Sequence, residues 1–154
     1  MPGGLPLIDE FDAVVDAPAA DVFLAVARRM GRSMEGPLAR AGARALGCVH
    51  RGASYTVPPV EGQETNGFRV AQVEEPAKLV LEGRHRFARY RLTFFIEPVA
   101  ANRTRVSART EALFPGISGA LYRALVIGSG GHEIVVRRLL ASVAKQLDPL
   151  AGAR

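Results

Sequence analysis

Three consecutive segments of this chain alternate between apolar and charged residues, and that alternation restricts what it can fold into. In Lys78–Phe87, the residues Leu79, Leu81, Gly83, His85 and Phe87 share one side, with Val80, Glu82, Arg84 and Arg86 on the other. Next, Tyr90, Leu92, Phe94 and Ile96 oppose Arg89, Arg91, Thr93, Phe95 and Glu97. After a turn at Ala101-Asn102, Thr104, Val106, Ala108, Thr110, Ala112 and Phe114 oppose Arg103, Arg105, Ser107, Arg109 and Glu111. A period of two belongs to antiparallel strands with one face packed and the other in water. The packed face has to be covered by apolar surface from elsewhere in the chain.

The cover the sequence offers is the stretch Pro115–Asp148. It opens on Pro115-Gly116, closes on Asp148-Pro149, and carries Leu121, Leu125, His132, Val136, Leu139 and Val143 at spacings of three, four and seven. Leu121, His132 and Val143 are eleven positions apart, which on one continuous helix sets successive members about 20° apart around the axis. The spacing therefore predicts one long amphipathic helix with a histidine on its buried face. Gly128-Ser129-Gly130-Gly131 interrupts the run, and each interior glycine costs about 1 kcal/mol relative to alanine. Either the glycines bend the helix over its support, or they and His132 form one wall of an internal cavity.

The rest of the chain falls into order around these parts. Leu7–Asp16 reads as a strand with Phe11, Ala13 and Val15 on one face; Asp16, Pro18 and Asp21 then signal a helix start, with Asp16 placed to cap. Val22, Phe23, Val26 and Met30 give that helix its apolar side up to Gly31, and a second short helix is expected over Pro37–Leu46. Val49–Val57 reads as a strand weakened by Gly52, Pro58–Gly62 as a loop, Gly67–Glu74 as a strand, and Glu75-Pro76 as a turn. The expectation is one α+β domain over residues 1–154: a curved antiparallel sheet of about six to seven strands around a long C-terminal helix, with two short helices after the first strand.

No segment approaches the roughly 20 apolar residues of a membrane span. The N-terminus reaches Asp9 and Glu10 without a basic region, which argues against a signal peptide and makes a cytoplasmic location the default. Cys48 is the sole cysteine, so neither an internal disulfide nor a cysteine-based zinc site can form. The formal charge of +5 is carried almost wholly by arginine, since Lys78 and Lys145 are the only lysines. Such a balance suits nucleic acid, an anionic membrane surface or acidic ligands, and equally reflects a composition biased toward Ala, Gly and Arg.

The segments Val14–Arg28, Phe68–Gly83, Arg89–Pro98 and Thr104–Thr110, together with the terminal helix, resemble the SRPBCC superfamily. These are the helix-grip domains that include START lipid carriers, pollen-allergen-like proteins and polyketide cyclases. The resemblance implies a curved sheet gripping the C-terminal helix and an apolar or aromatic small molecule bound between them. It also implies cyclisation or dehydration chemistry in some members.

His132 is the first candidate for chemistry, as a general acid/base or a ligand contact, against the alternative of a neutral, hydrogen-bonded structural histidine. Tyr90 is the second, because a buried phenol needs a hydrogen-bond partner. Tyr55, Phe68, Phe94 and Phe114 could line an aromatic-accepting cavity or simply pack. His85 is in phase with Leu79 and Leu81 but close to a hairpin end, so core and rim are both open to it. Leu125, Gly128 and Val136 complete the proposed ligand-facing set on the helix. The histidines are not at metal-ligand spacing, and neither a metal nor a cofactor is expected. Ser129 and its glycines lack the context of a nucleophile elbow or a phosphate loop. The arginines on the outer strand faces are expected to pair across strands with Glu82, Glu97 and Glu111, which makes nucleic acid an unlikely partner.

The order of functional expectation is a binding protein for a small hydrophobic or aromatic molecule, then a cyclase-, aromatase- or dehydratase-type enzyme using His132 and Tyr90, then an interaction module using the basic sheet face. A homodimer is left open.

Overall fold

The computed structural model describes residues 4–147. Along the chain it has β1 (Leu7–Val15), α1 (Ala19–Met34), α2 (Pro37–Leu46), β2 (Glu64–Thr65), β3 (Phe68–Glu74), β4 (Lys78–His85), β5 (Ala88–Ala100), β6 (Arg103–Leu113), α3 (Gly116–Val126) and α4 (Gly131–Leu147). The six strands form one antiparallel sheet in the order β1-β6-β5-β4-β3-β2. The result is an α+β helix-grip fold.

Cross-strand register turns the alternating sequence into rows across the inner face. One row runs Gly83, Tyr90, Ala112; the next Leu81, Leu92, Thr110, Asp9; the next Leu79, Phe94, Ala108, Phe11. The rows from Phe94 onward, through Ile96, Val106 and Val15, are solid core. Two helices cover them, not the C-terminal one alone. Val22, Phe23, Ala25, Val26, Ala27 and Met30 of α1 are all buried, and Val136, Leu139, Leu140 and Val143 of α4 pack beside them. The buried face of α1 runs to the end of a helix longer than the sequence suggested, because Gly31 lies against the Tyr55 ring and the helix continues past it. Asp16 does not cap α1; the amides of Asp21 and Val22 donate instead to the Pro18 carbonyl. At the far end of the sheet the Thr104 hydroxyl, fully buried, donates to the Ala17 carbonyl at 2.7 Å and fixes the entry to α1.

Two expectations are corrected. Val49–Val57 is not a strand but an irregular connection held by side-chain and backbone contacts to β2, with His50 Nδ1 2.8 Å from Glu64 Oε1 and the Ser54 and Tyr55 amides donating to the Glu64 carbonyl. Among the described residues the only additional strand is the two-residue β2.

The long terminal helix is two helices. Gly130 sits at φ +76°, a conformation that favours glycine. Around it the Gly130 amide donates to the Ile127 carbonyl, and the Gly131 amide to the Ser129 hydroxyl. The break resets the helical phase, so Leu121 and Leu125 of α3 do not continue the buried line of α4; both are exposed. Asp148, where the long helix was expected to end, lies outside the described residues.

Candidate functional site

Beyond the solid rows, the inner face is covered only by short helices, and a cavity of about 400 Å³ lies there. The sheet supplies Phe68, His85, Ala88, Tyr90, Leu92, Thr110, Ala112 and Phe114; α2 supplies Ala39, Gly42, Ala43 and Leu46; α3 and the turn after it supply Tyr122, Val126 and Ile127; and His132 closes the boundary with α4. Small residues make the space. Where alanine and glycine face one another across the layers, nothing reaches far enough to fill the gap.

Tyr90 is held across the sheet by a glycine. Gly83 is its direct partner on β4, and a side chain there would collide with both the Tyr90 ring and the Gly67 carbonyl. The bare backbone lets the ring lie flat over β4, where its hydroxyl donates to the Gly67 carbonyl at 2.6 Å. Burial pushes the phenol well above the ordinary tyrosine range, with the neighbouring Cys48 adding to the shift. Tyr90 is therefore a neutral, engaged phenol. Burial raises the Cys48 thiol as well.

From Tyr90 a chain of rings runs along the cavity wall. Phe68 meets Tyr90 edge-on at 5.2 Å, His85 lies 5.4 Å from Tyr90 and 4.9 Å from Tyr122, and Tyr122 stacks on Phe87 at 5.4 Å. His85 is buried, which lowers its pKa from 6.5. Its Nδ1 accepts from the Phe87 amide at 3.1 Å, leaving Nε2 to carry the proton. Because the folded-state pKa is depressed, the unfolded chain binds a proton more readily. Stability is therefore expected to fall as pH drops below about 6.5. Urea titrations across that range should show a shallower pH dependence for His85→Gln; identical slopes would refute the assignment.

His132, on the first turn of α4, reaches back to the sheet. Its Nε2 lies 3.1 Å from Thr110 Oγ1 and 3.4 Å from Asp9 Oδ2. Asp9 and Thr110 are register partners across β1 and β6. The second Asp9 carboxylate oxygen is buried without a hydrogen-bond partner among the described residues. A carboxylate at this distance holds the imidazole ring in a fixed orientation.

Of the residues singled out from the sequence, the cavity brings together Phe68, His85, Tyr90, Phe114 and His132. The others lie elsewhere. Phe94 and Val136 are core, because α1 and α4 close over their rows. Tyr55 packs on α1, its hydroxyl donating to the Ala27 carbonyl at 2.8 Å. Leu125 and Gly128 are exposed, because the helix break turns them outward. The sequence reading missed Asp9, although it is in phase with Phe11, Ala13 and Val15. It also missed Tyr122, which shares a helical side with Val126. Cys48, Asn66 and Gly67 come from the irregular connection and the turn before β3, where no period exists to find them.

On the outer sheet face the arginines pair across strands. Arg91 binds Glu82 at 2.6 Å and lies 3.8 Å from Glu111; Arg109 binds Glu10 at 2.9 Å; Arg105 and Arg103 lie 3.7 Å from Asp12 and Asp16. Among the described residues, no group of three His, Cys, Asp or Glu is placed to hold a metal ion, and no helix is long and apolar enough to cross a membrane.

Solved structures share this architecture. A protein from Arthrobacter aurescens is similar with a TM-score of 0.56 and 15% identity, over 88% of this chain and 85% of that one. CV1439 from Chromobacterium violaceum has a TM-score of 0.54 and 13% identity, over 92% and 96%. DynU16, a protein of the dynemicin biosynthetic locus, has a TM-score of 0.52 and 15% identity, over 91% of this chain and 46% of that one. At such identities the likeness bears on the fold alone. No protein-family model and no curated protein matches the chain.

Proposed function

We propose that this chain is a cytoplasmic SRPBCC-type helix-grip domain that binds a small hydrophobic or aromatic molecule under α2 and α3. The observation that carries the reading is a cavity of about 400 Å³ walled by linked aromatic rings and small apolar residues, a volume in the ordinary range for small-molecule sites. Burying roughly 200 Å² of a flat ligand contributes about 5 kcal/mol before the cost of association. Micromolar affinity requires about 8 kcal/mol, so apolar contact alone falls short. The shortfall assigns an anchoring role to the polar groups on the wall: His85, His132, Thr110 and Asn66. The ligand is accordingly an apolar ring system carrying one or two hydrogen-bonding oxygens.

Native mass spectrometry and solvent extraction of the purified protein, followed by thermal-shift screening of aromatic ketones and phenols, test this. A co-purifying molecule or a saturable rise in melting temperature supports it. A protein that carries nothing and is stabilised by none of these compounds counts against it.

One observation favours a second reading as an enzyme of the cyclase, aromatase or dehydratase type. The Asp9 carboxylate stands behind His132 on the wall that Tyr90 also lines. In that reading His132 moves a proton on the bound molecule, Asp9 positions it, and Tyr90 shapes the floor. His132→Phe should then abolish turnover of a compound that the variant still binds at saturating concentration, a loss in kcat and not only in affinity. Retained turnover would exclude the role.

A further inference from the structure

The helix that closes the cavity is apolar on its outer side as well. Gly119 of α3 rests on the backbone of Phe87 and Phe114, and Tyr122 and Val126 face inward. Ile117, Leu121 and Leu125, spaced one turn apart on the opposite side, are 84%, 68% and 72% exposed. A helix at a water-facing surface is ordinarily polar on its outer side. In α3 the only charged residue is Arg123. On α2, across the same cavity, Leu38 is 89% exposed.

The segments that form this end of the molecule carry charge of a single sign. Three segments bound the cavity from outside: α2 with the connection after it, the β4–β5 hairpin, and α3 with its turn. They are joined, since the Arg86 amide donates to the Leu46 carbonyl and α3 sits on Phe87. No acidic residue occurs between Glu35 and Glu61, between Glu82 and Glu97, or between Glu111 and Glu133. Eight of the 20 basic residues and none of the 15 acidic ones fall in these intervals, so the remainder of the chain is net acidic. Arg40, Arg44, Arg86, Arg89 and Arg123 are exposed, and none forms an ion pair with a described residue.

We propose that this end of the molecule docks on an anionic lipid surface. The outer side of α3 lies at the headgroup boundary, Ile117, Leu121, Leu125 and Leu38 insert, and the surrounding arginines face lipid phosphates. Aliphatic side chains projecting from a helix and ringed by unpaired cations are the composition of an interfacial element. A second copy is disfavoured, because a self-complementary contact would bring these arginines face to face. A protein partner would need a matching acidic surface shaped around a convex helix, whereas a bilayer moulds itself to the projecting side chains. The inference concerns the outer surface and stands whether or not the cavity binds a ligand.

Flotation with phosphatidylcholine vesicles, with and without phosphatidylglycerol, tests it. The full chain is expected to float with the anionic vesicles at low salt and to be released at high salt. Leu121→Asp should lower partitioning at least about tenfold, and Arg86→Gln and Arg89→Gln about fivefold each, with circular dichroism confirming that each variant is folded. A variant that fills the cavity should float like the wild type, which separates this inference from ligand binding. Equal partitioning onto neutral vesicles, no partitioning at all, or undiminished partitioning of Leu121→Asp would overturn the proposal. So would light scattering that shows a dimer made monomeric by Leu121→Asp, or binding to an acidic protein in place of vesicles.

Discussion

Gly83→Ala is expected to lower the unfolding free energy by about 3 kcal/mol, seen as a fall of roughly 10 °C in melting temperature for a domain of this size. The reason is local and rigid. An added Cβ at position 83 would meet the Gly67 carbonyl, which is backbone, and the Tyr90 ring, which is pinned by its hydrogen bond to that same carbonyl. Gly67 cannot easily retreat, since its φ of +92° places it where only glycine is comfortable. The alternative is for Tyr90 to swing away from β4 into the cavity, which breaks its bond to Gly67 and takes up space a ligand would use. Tyr90→Ala should therefore be less costly on the Gly83→Ala background than alone, with a coupling of about 1 kcal/mol or more in a double-mutant cycle. Additive effects, or a Gly83→Ala variant within 1 kcal/mol of wild type, would show that the glycine is not what seats the ring.

The period-two alternation of Lys78–Leu113 was enough to derive the sheet, its inner face and its antiparallel order. Each inward residue from Leu79 to Ala112 is where the alternation places it. What alternation cannot reveal is which rows are plugged. Phe94 and Tyr90 are equivalent in the strand pattern, yet one is sealed under α1 and α4 and the other lines a cavity, because the covering helices end between their rows. That division depends on helix placement, and it also explains why Val136 packs while His132, one turn earlier on α4, reaches the cavity wall.

The terminal segment shows the opposite limit. Its apolar spacing is continuous on paper, and the eleven-residue intervals hold only while the helix does. Three glycines let the chain turn at Gly130, and the residues before the turn were then assigned to the wrong surface. The cost of interior glycine was visible in the sequence, but bending and breaking have the same signature there. His132 survived because it lies on the far side of the break and takes its phase from Val136, Leu139 and Val143. Its acidic partner was legible too. Asp9 is in phase with Phe11 and Ala13, and a carboxylate on the packed face of a strand demands a partner.

Ala112→Trp is expected to weaken binding of the cavity's ligand by at least about a hundredfold, or roughly 2.7 kcal/mol, while changing global stability by no more than about 1–2 kcal/mol. Ala112 is buried on β6 beside Tyr90 and points into the cavity. An indole there occupies the space between Tyr90 and the short helices without displacing the rows that α1 and α4 cover. A ligand that depends on filling this volume loses its apolar contacts and its reach to His132 together, which is why the effect on binding should far exceed the effect on folding. A core variant should behave in the opposite way. Phe94→Ala removes a fully buried ring and should cost about 3–5 kcal/mol of stability, with ligand affinity changed only as far as the fold loosens. Isothermal titration alongside urea unfolding of both proteins separates the two effects. Undiminished affinity in Ala112→Trp would mean that the molecule is held somewhere other than between the sheet and the helices above it.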